Sequence, residues 1–331
     1  MNIIGCKDNS FSKKHKIFRK FFRIFAPKKS NNHTKYMQIM TDVCCIGHIT
    51  RDRIITQNPP KTTLCAGGSA YYMAWALQAL PHDIDFHMIT SVSQDMMPEV
   101  ERLRQTGIRI TAFKSETNVF FENKYGEDMN HRTQRVLAKS APFTIHQLKD
   151  INAKVFHLGT LLADDFAPEV VEYLAGKGDI SIDVQGYLRA VDGEQVHPVE
   201  WTDKLRLLKQ TAILKVNESE CHTLTGITNP FTAAEQIHDW GVREVIITFG
   251  SEGSVIYAEG QFFEIPSYPP KKLIDATGCG DTYSAGYLYA RAKGMDYAEA
   301  GNFAAAMCTL KLEHTGPFDY TIDDVRHILE D

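Results

Sequence analysis

Residues 273–292 read LIDATGCGDTYSAGYLYARA, and the fold and chemistry of the chain are read outward from this stretch. A short run ends at Asp275, Thr277-Gly278-Cys279-Gly280-Asp281 makes a glycine-rich turn, and a helix of small residues follows. Glycines at such a turn let backbone N–H groups converge on one point, and the helix N-terminus adds its partial positive charge. The segment therefore predicts an anion hole. Asp281 stands at the same helix start, where its carboxylate would repel a phosphate that was merely bound. Its presence is explained if it takes a proton from an attacking hydroxyl while the hole stabilises charge on a phosphoryl group in transfer. The competing reading is an ordinary N-cap aspartate; the length of the D-x-T-G-x-G-D string and its late position argue against it. No GxxxxGK[ST] string is present, so a P-loop is excluded. The Gly-x-Gly also lacks the acidic partner of a dinucleotide fingerprint.

Around this stretch the chain alternates short β-rich runs with helical ones. Residues 42–49, 86–90, 155–158, 180–184, 212–216, 245–248 and 255–257 read as buried strands. Residues 69–80, 97–105, 167–175, 218–225, 232–240 and 282–293 read as helices. The alternation predicts an α/β fold with a doubly wound, mostly parallel sheet flanked by helices, and ligands at the carboxyl ends of its strands. Residues 108–138 differ: polar and apolar residues alternate on either side of Gly126-Glu127-Asp128, as in an inserted antiparallel hairpin with one wet face.

The 331 residues carry a formal net charge of −5, which hides two populations. Residues 1–36 hold ten Lys/Arg against one acid, a net of +9, while the remainder holds 26 against 40, a net of −14. An acidic body excludes nucleic acid as a partner. Residues 16–26, KIFRKFFRIFA, interleave aromatic and basic side chains and would suit an anionic membrane surface as a helix. The reading preferred here is a disordered basic extension over residues 1–40, with Met37 and Met40 as alternative starts. Seven cysteines, an odd number without a CxxC pair, read as free thiols of a cytoplasmic protein. No apolar stretch approaches the ~20 residues of a membrane span.

Taken together, residues 42–320 resemble the ribokinase family, the PfkB-type carbohydrate kinases. DATGCGD is similar to that family's D-T-x-G-A-G-D signature, with Cys279 in place of the usual Ala. The match implies Asp281 as catalytic base and Gly278, Cys279 and Gly280 as the source of the anion-hole amides. VNESE resembles the N-x-x-E motif, which implies that Asn217 and Glu220 organise Mg²⁺ through water. IITFGSEG resembles the stretch along the nucleotide, which places Thr248, Gly250 and Gly253, with Thr277, at ATP. The resemblance also implies a monovalent cation such as K⁺ at Asp275. GHITRD and CAGGSA resemble the acceptor-binding motifs, here Asp52 and the pair Gly67 and Gly68. Singly, Asn217 and Glu220 also read as a helix start, residues 248–250 as a strand end and Asp52 as a turn acid.

Two departures stand out. Ser69-Ala70-Tyr71-Tyr72 follows the glycine pair where many sugar kinases place Gly and Asn, and Ala305 replaces a commonly polar residue near the adenine. IDVQGYLRAVDG resembles the D-x-Q-x-x-x-R segment of the myo-inositol kinase branch, implying Asp183, Gln185 and Arg189 at the acceptor; a structural Asp–Arg pair is the competing reading. The expected architecture is a kinase domain over residues 41–331 with a small antiparallel β lid from segments 53–65 and 108–138. The expected activity is ATP- and Mg²⁺-dependent phosphorylation of a small sugar or polyol, inositol-like, by a monomer or homodimer. The alternatives are a nucleoside kinase of the same family and a non-catalytic sugar or nucleotide sensor on the same fold.

Overall fold

Val43, Cys44, Cys45 and Ile46 are all fully buried, so both faces of strand β1 (Thr41–Gly47) are covered. That burial is what a central parallel strand requires. The computed structural model describes residues 40–57, 60–125 and 132–330. After β1 come β2 (Thr50–Gln57), β3 (Pro60–Gly67), β4 (Phe86–Val92), β5 (Arg109–Lys114), β6 (Phe120–Tyr125), β7 (Arg132–Ala138) and β8 (Ala153–Gly159). Then follow β9 (Asp179–Asp183), β10 (Arg189–Asp192), β11 (Gln195–Pro198), β12 (Thr211–Asn217), β13 (Glu244–Thr248), β14 (Ser254–Ala258) and β15 (Gln261–Ile265).

Nine of these form one sheet in the order β15-β14-β13-β12-β9-β8-β1-β4-β5. The strands from β13 to β5 are parallel, and β14 and β15 add an antiparallel edge. Register aligns Gly47 with Gly159, Asp183 with Lys215 and Asn217 with Thr248, so these carboxyl ends open at one side of the sheet. The helices Cys279–Ala292 and Tyr297–Leu312 pack tightly: a Cβ on Gly286 would stand 3.0 Å from the Ala304 Cα.

A second sheet of six strands runs β10-β11-β7-β6-β2-β3. It differs from the expected lid in three respects. Segment 109–114 belongs to the main sheet, where β5 pairs parallel with β4. Its one-wet-face texture comes from its edge position: Ile110 is buried while Arg109 and Lys114 are exposed. The second sheet is not wholly antiparallel, because β2 and β6 run parallel. It also recruits β10 and β11, which pair antiparallel with each other and, through Gln195 and Arg135, with β7. Only His48 and Ile49 separate β1 in one sheet from β2 in the other, and β3 returns through Gly67-Gly68 into the helix Ser69–Gln78. All but Met40 of the expected extension over residues 1–40, and the turn at Gly126-Glu127-Asp128, lie outside the described residues. Among the described residues no helix is long and apolar enough to cross a membrane.

Candidate active site

The turn that opens the helix Cys279–Ala292 is shaped by Gly278, whose φ of 78° lies in the left-handed region. A Cβ there would meet the Tyr72 ring at 2.4 Å, so both backbone and packing demand glycine. Asp275 folds the turn back on itself by accepting the Thr277 N–H at 2.9 Å. The Cys279 N–H donates to the Ala276 carbonyl at 3.2 Å and is thus engaged within the turn. A helix start leaves its first N–H groups without intrahelical acceptors, and the Gly280 and Asp281 amides are among them.

Asp281 occupies the first turn of that helix. Burial, and next the Asp183 carboxylate, push its carboxyl up to about 6, while the Ser69 hydroxyl and the Lys215 ammonium pull the other way. A carboxyl at that value is mostly ionised near neutrality yet far more basic than an exposed aspartate, as a general base requires.

Lys215 was not singled out in the sequence, although a lysine inside the apolar run AILKVN is a buried-charge signal. Its Nζ lies 2.7 Å from the Asp183 carboxylate, and both side chains are nearly buried. A Cβ on Gly280 would stand 3.3 Å from the same Nζ, so the ammonium sits beside the amide opening. Burial opposes the charge on Asp183, but Lys215 outweighs it and holds the carboxyl below its ordinary value. Asp183 is therefore paired with Lys215. Gln185 lends its backbone N–H to Asp183 at 3.3 Å. Arg189 opens β10 and lies near enough to Glu220 to favour that carboxylate's charge.

At the residues expected to bind the acceptor, β2 and β3 bring Asp52 against Gly67. Thr50 Oγ1 donates to Asp52 Oδ1 at 2.7 Å, and a Cβ on Gly67 would meet Asp52 Oδ2 at 2.5 Å. Gly68, with φ 96°, passes so close to the His48 carbonyl that a Cβ would clash at 2.4 Å. Tyr72, the departure noted in the sequence, lies between the two halves. Burial raises its hydroxyl pKa first, and Asp52, Cys65, Asp275 and Asp281 add to the effect. It thus borders both the acceptor motifs and the anion turn.

Asn217 and Glu220 form a reciprocal capping box: Glu220 N donates to Asn217 Oδ1 at 2.8 Å and Asn217 N to Glu220 Oε2 at 2.9 Å. The helix-start reading of this motif is thus realised. Burial, followed by Asp183, raises the Glu220 carboxyl pKa against the pull of Lys215. Two carboxylates that repel across this space suit a hydrated dication, whereas among the described residues no three His, Cys, Asp or Glu side chains converge to cage one. Mg²⁺ fits here through water and phosphate oxygens. Thr248 ends β13 beside Asn217. Gly250 is open to its surroundings, while a Cβ on Gly253 would strike the Ile265 carbonyl at 2.2 Å, so Gly253 is required by the turn itself.

The monovalent cation expected at Asp275 does not fit. The Asp275 carbonyl accepts a hydrogen bond from Lys311 Nζ at 3.1 Å, and the Asp275 carboxylate faces the same ammonium at 3.8 Å. A potassium ion at these oxygens would stand against a buried positive charge.

Parallel sheet, anion turn and poised carboxylate together describe a phosphotransferase, and comparison with known proteins agrees. The model of the pfkB family of carbohydrate kinases matches residues 40–322. The chain belongs to this family, whose ribokinase-like kinases use ATP, typically with Mg²⁺. Among its relatives is a cytidine kinase from Thermococcus kodakarensis, 25% identical over 86% of this chain and 100% of that one. The inositol 3-kinase of Arabidopsis thaliana is 23% identical over 88% of this chain and 79% of its own length. A pyrophosphate-dependent kinase of the ribokinase family, solved with a pyrophosphate analogue and myo-inositol, superposes with a TM-score of 0.75 at 26% identity, covering 87% of this chain and 99% of its own.

Proposed function

We propose that this kinase transfers the γ-phosphoryl group of ATP to one hydroxyl of a small polyol of the inositol type. The observation that carries the reading is the meeting of Asp281, pushed up to about 6, with the first amides of its helix and the Lys215 ammonium. Asp52 and the Gly67-Gly68 backbone hold acceptor hydroxyls. Asp281 removes the proton of the attacking hydroxyl, and its oxygen forms a bond to the γ-phosphorus. The bond from that phosphorus to the β–γ bridging oxygen breaks, and ADP leaves. The Gly280 and Asp281 amides and Lys215 stabilise charge on the transferring group, where preorganised donors act most strongly. Asn217 and Glu220 would hold Mg²⁺ through water, and the ion supplies further neutralisation of phosphate charge. The six-stranded sheet serves as the cover that keeps water from the phosphoryl group.

The inositol assignment is supported by the Asp183, Gln185 and Arg189 segment beside the site and by the myo-inositol-bound relative. A nucleoside acceptor is the second reading, favoured by the full-length match to a cytidine kinase. A phosphorylation screen decides between them, with ATP or pyrophosphate as donor and myo-inositol, cytidine, ribose and fructose as acceptors, read by phosphorus NMR. Phosphorylation of myo-inositol with ATP is expected. Turnover of cytidine without turnover of inositol overturns the acceptor, and turnover only with pyrophosphate overturns the donor.

A further inference from the structure

Lys311 is the penultimate residue of the helix Tyr297–Leu312, and its side chain is fully buried. An ammonium is carried into a protein interior only where oxygens replace its water. Here they are the Asp275 carbonyl at 3.1 Å, the His314 carbonyl at 3.4 Å and the Asp275 carboxylate at 3.8 Å. The same helix end grips the turn a second way. The Leu312 carbonyl accepts the Ile274 N–H at 2.7 Å and the Asp275 N–H at 3.3 Å. Asp275 in turn fixes Thr277, three residues before Gly280. Carbonyl and carboxylate oxygens gathered around a buried monovalent charge make the coordination that a potassium ion would accept.

We infer that Lys311 is a covalently tethered monovalent cation: its ammonium fills the place of a potassium ion, holds the Asp275–Asp281 turn in its anion-binding shape, and makes the protein independent of dissolved monovalent cations. Lys311 is a positioning residue. It reaches the reacting atoms only through Asp275 and the turn. A tethered charge is present at every ionic composition, whereas a bound ion is present only above its dissociation constant.

The inference rests on the kinase reading only for its activity arm, so the test has two readouts on the full chain at constant ionic strength. The melting temperature and kcat are measured in potassium, sodium and tetramethylammonium chloride. For the natural protein both are expected to be the same in all three salts. Lys311→Ala is expected to lower the melting temperature and to cost kcat about 10²-fold, the scale of a displaced reacting geometry, with less effect on the KM of the acceptor. Potassium, ammonium or methylammonium should restore both readouts saturably, and tetramethylammonium should not. Saturable stabilisation or activation of the natural protein by potassium overturns the inference. So does a folded Lys311→Ala protein with undiminished kcat in tetramethylammonium. If Lys311→Ala fails to fold in every salt, the natural protein's response to potassium decides alone. Absence of turnover in any salt would count against the kinase reading, while the melting temperatures still report on the cation.

Discussion

Asp281 sits where burial and the Asp183 carboxylate oppose its charge, yet its proposed role needs that charge. Asp281→Asn should lower kcat by about 10²–10⁴-fold, the worth of a positioned general base, and leave ATP binding nearly intact in calorimetry. The same substitution should stabilise the protein at pH 7 by about 1–3 kcal/mol in denaturant titrations. The sign follows from the folded value of about 6 against an ordinary 3.8. Between these values the folded state binds the proton more tightly, so stability falls as pH rises through the window, and the full deficit remains above it. Activity runs the other way, and kcat should fall as pH drops through about 6. Lys215 favours the ionised form, so Lys215→Met should move this acid limb to higher pH. Because the substitution leaves Asp183 buried without its ammonium, it should also cost about 3–5 kcal/mol of stability. Adding Asp183→Asn should return the limb toward its natural position, since Asp183 acts in the opposite sense.

Among the elements, the helix Cys279–Ala292 owes its seat to small residues. A side chain at Gly286 meets Met307 Sδ at 2.8 Å and the Ala304 Cα at 3.0 Å, and the latter is backbone that cannot swing away. Gly286→Val should therefore destabilise by about 1–3 kcal/mol through overpacking, measured as a lowered urea midpoint. The glycine turn and this helix could be read in the sequence because their signals are local. Seven of the nine main-sheet strands were legible for the same reason, since strands buried on both faces read as continuous apolar runs, whereas the edge strand β15, with only Ile265 buried, was not read as a strand. Strand β5 was misplaced because an edge strand alternates wet and dry like a hairpin. Strands β10 and β11, RAVD and QVHP, are too short and polar to carry a pattern. The residues that escaped notice act across long separations. Lys215 depends on Asp183 and Gly280, and Lys311 on Asp275; only a lysine within an apolar run gave notice of either. Tyr72 was visible only as a departure from a motif, and the Tyr72–Gly278 contact gives that departure a structural setting.

At the scale of the whole molecule, the proposed function has an acidic body of net −14 bind a polyanion by local means: two helix-start amides, one buried ammonium and a hydrated metal. Residues Met40–Asp331 form one compact unit, and the family match begins at residue 40. A chain beginning at Met40 should keep the melting temperature, kcat and KM of the full protein; loss of activity on truncation would give the basic segment a role in turnover. Hydrogen exchange should report the cover, with the amides of β2, β3, β6 and β7 gaining more protection on acceptor binding than those of β1, β8 and β9.

The two-residue link His48-Ile49 between β1 and β2 sets a lever. Strand β2 rises about 3.3 Å per residue, so its far end at Gln57 lies about 23 Å from Thr50, while Asp52 is only about 7 Å away. A tilt of about 10° about that link sweeps the far end through about 4 Å but carries Asp52 through only about 1 Å. Were the six-stranded sheet to move as the proposed cover, grip on the acceptor and width of the entrance would be mechanically separated: the Asp52 carboxylate would ride near the fulcrum and keep its aim while the far end of β2 travelled further.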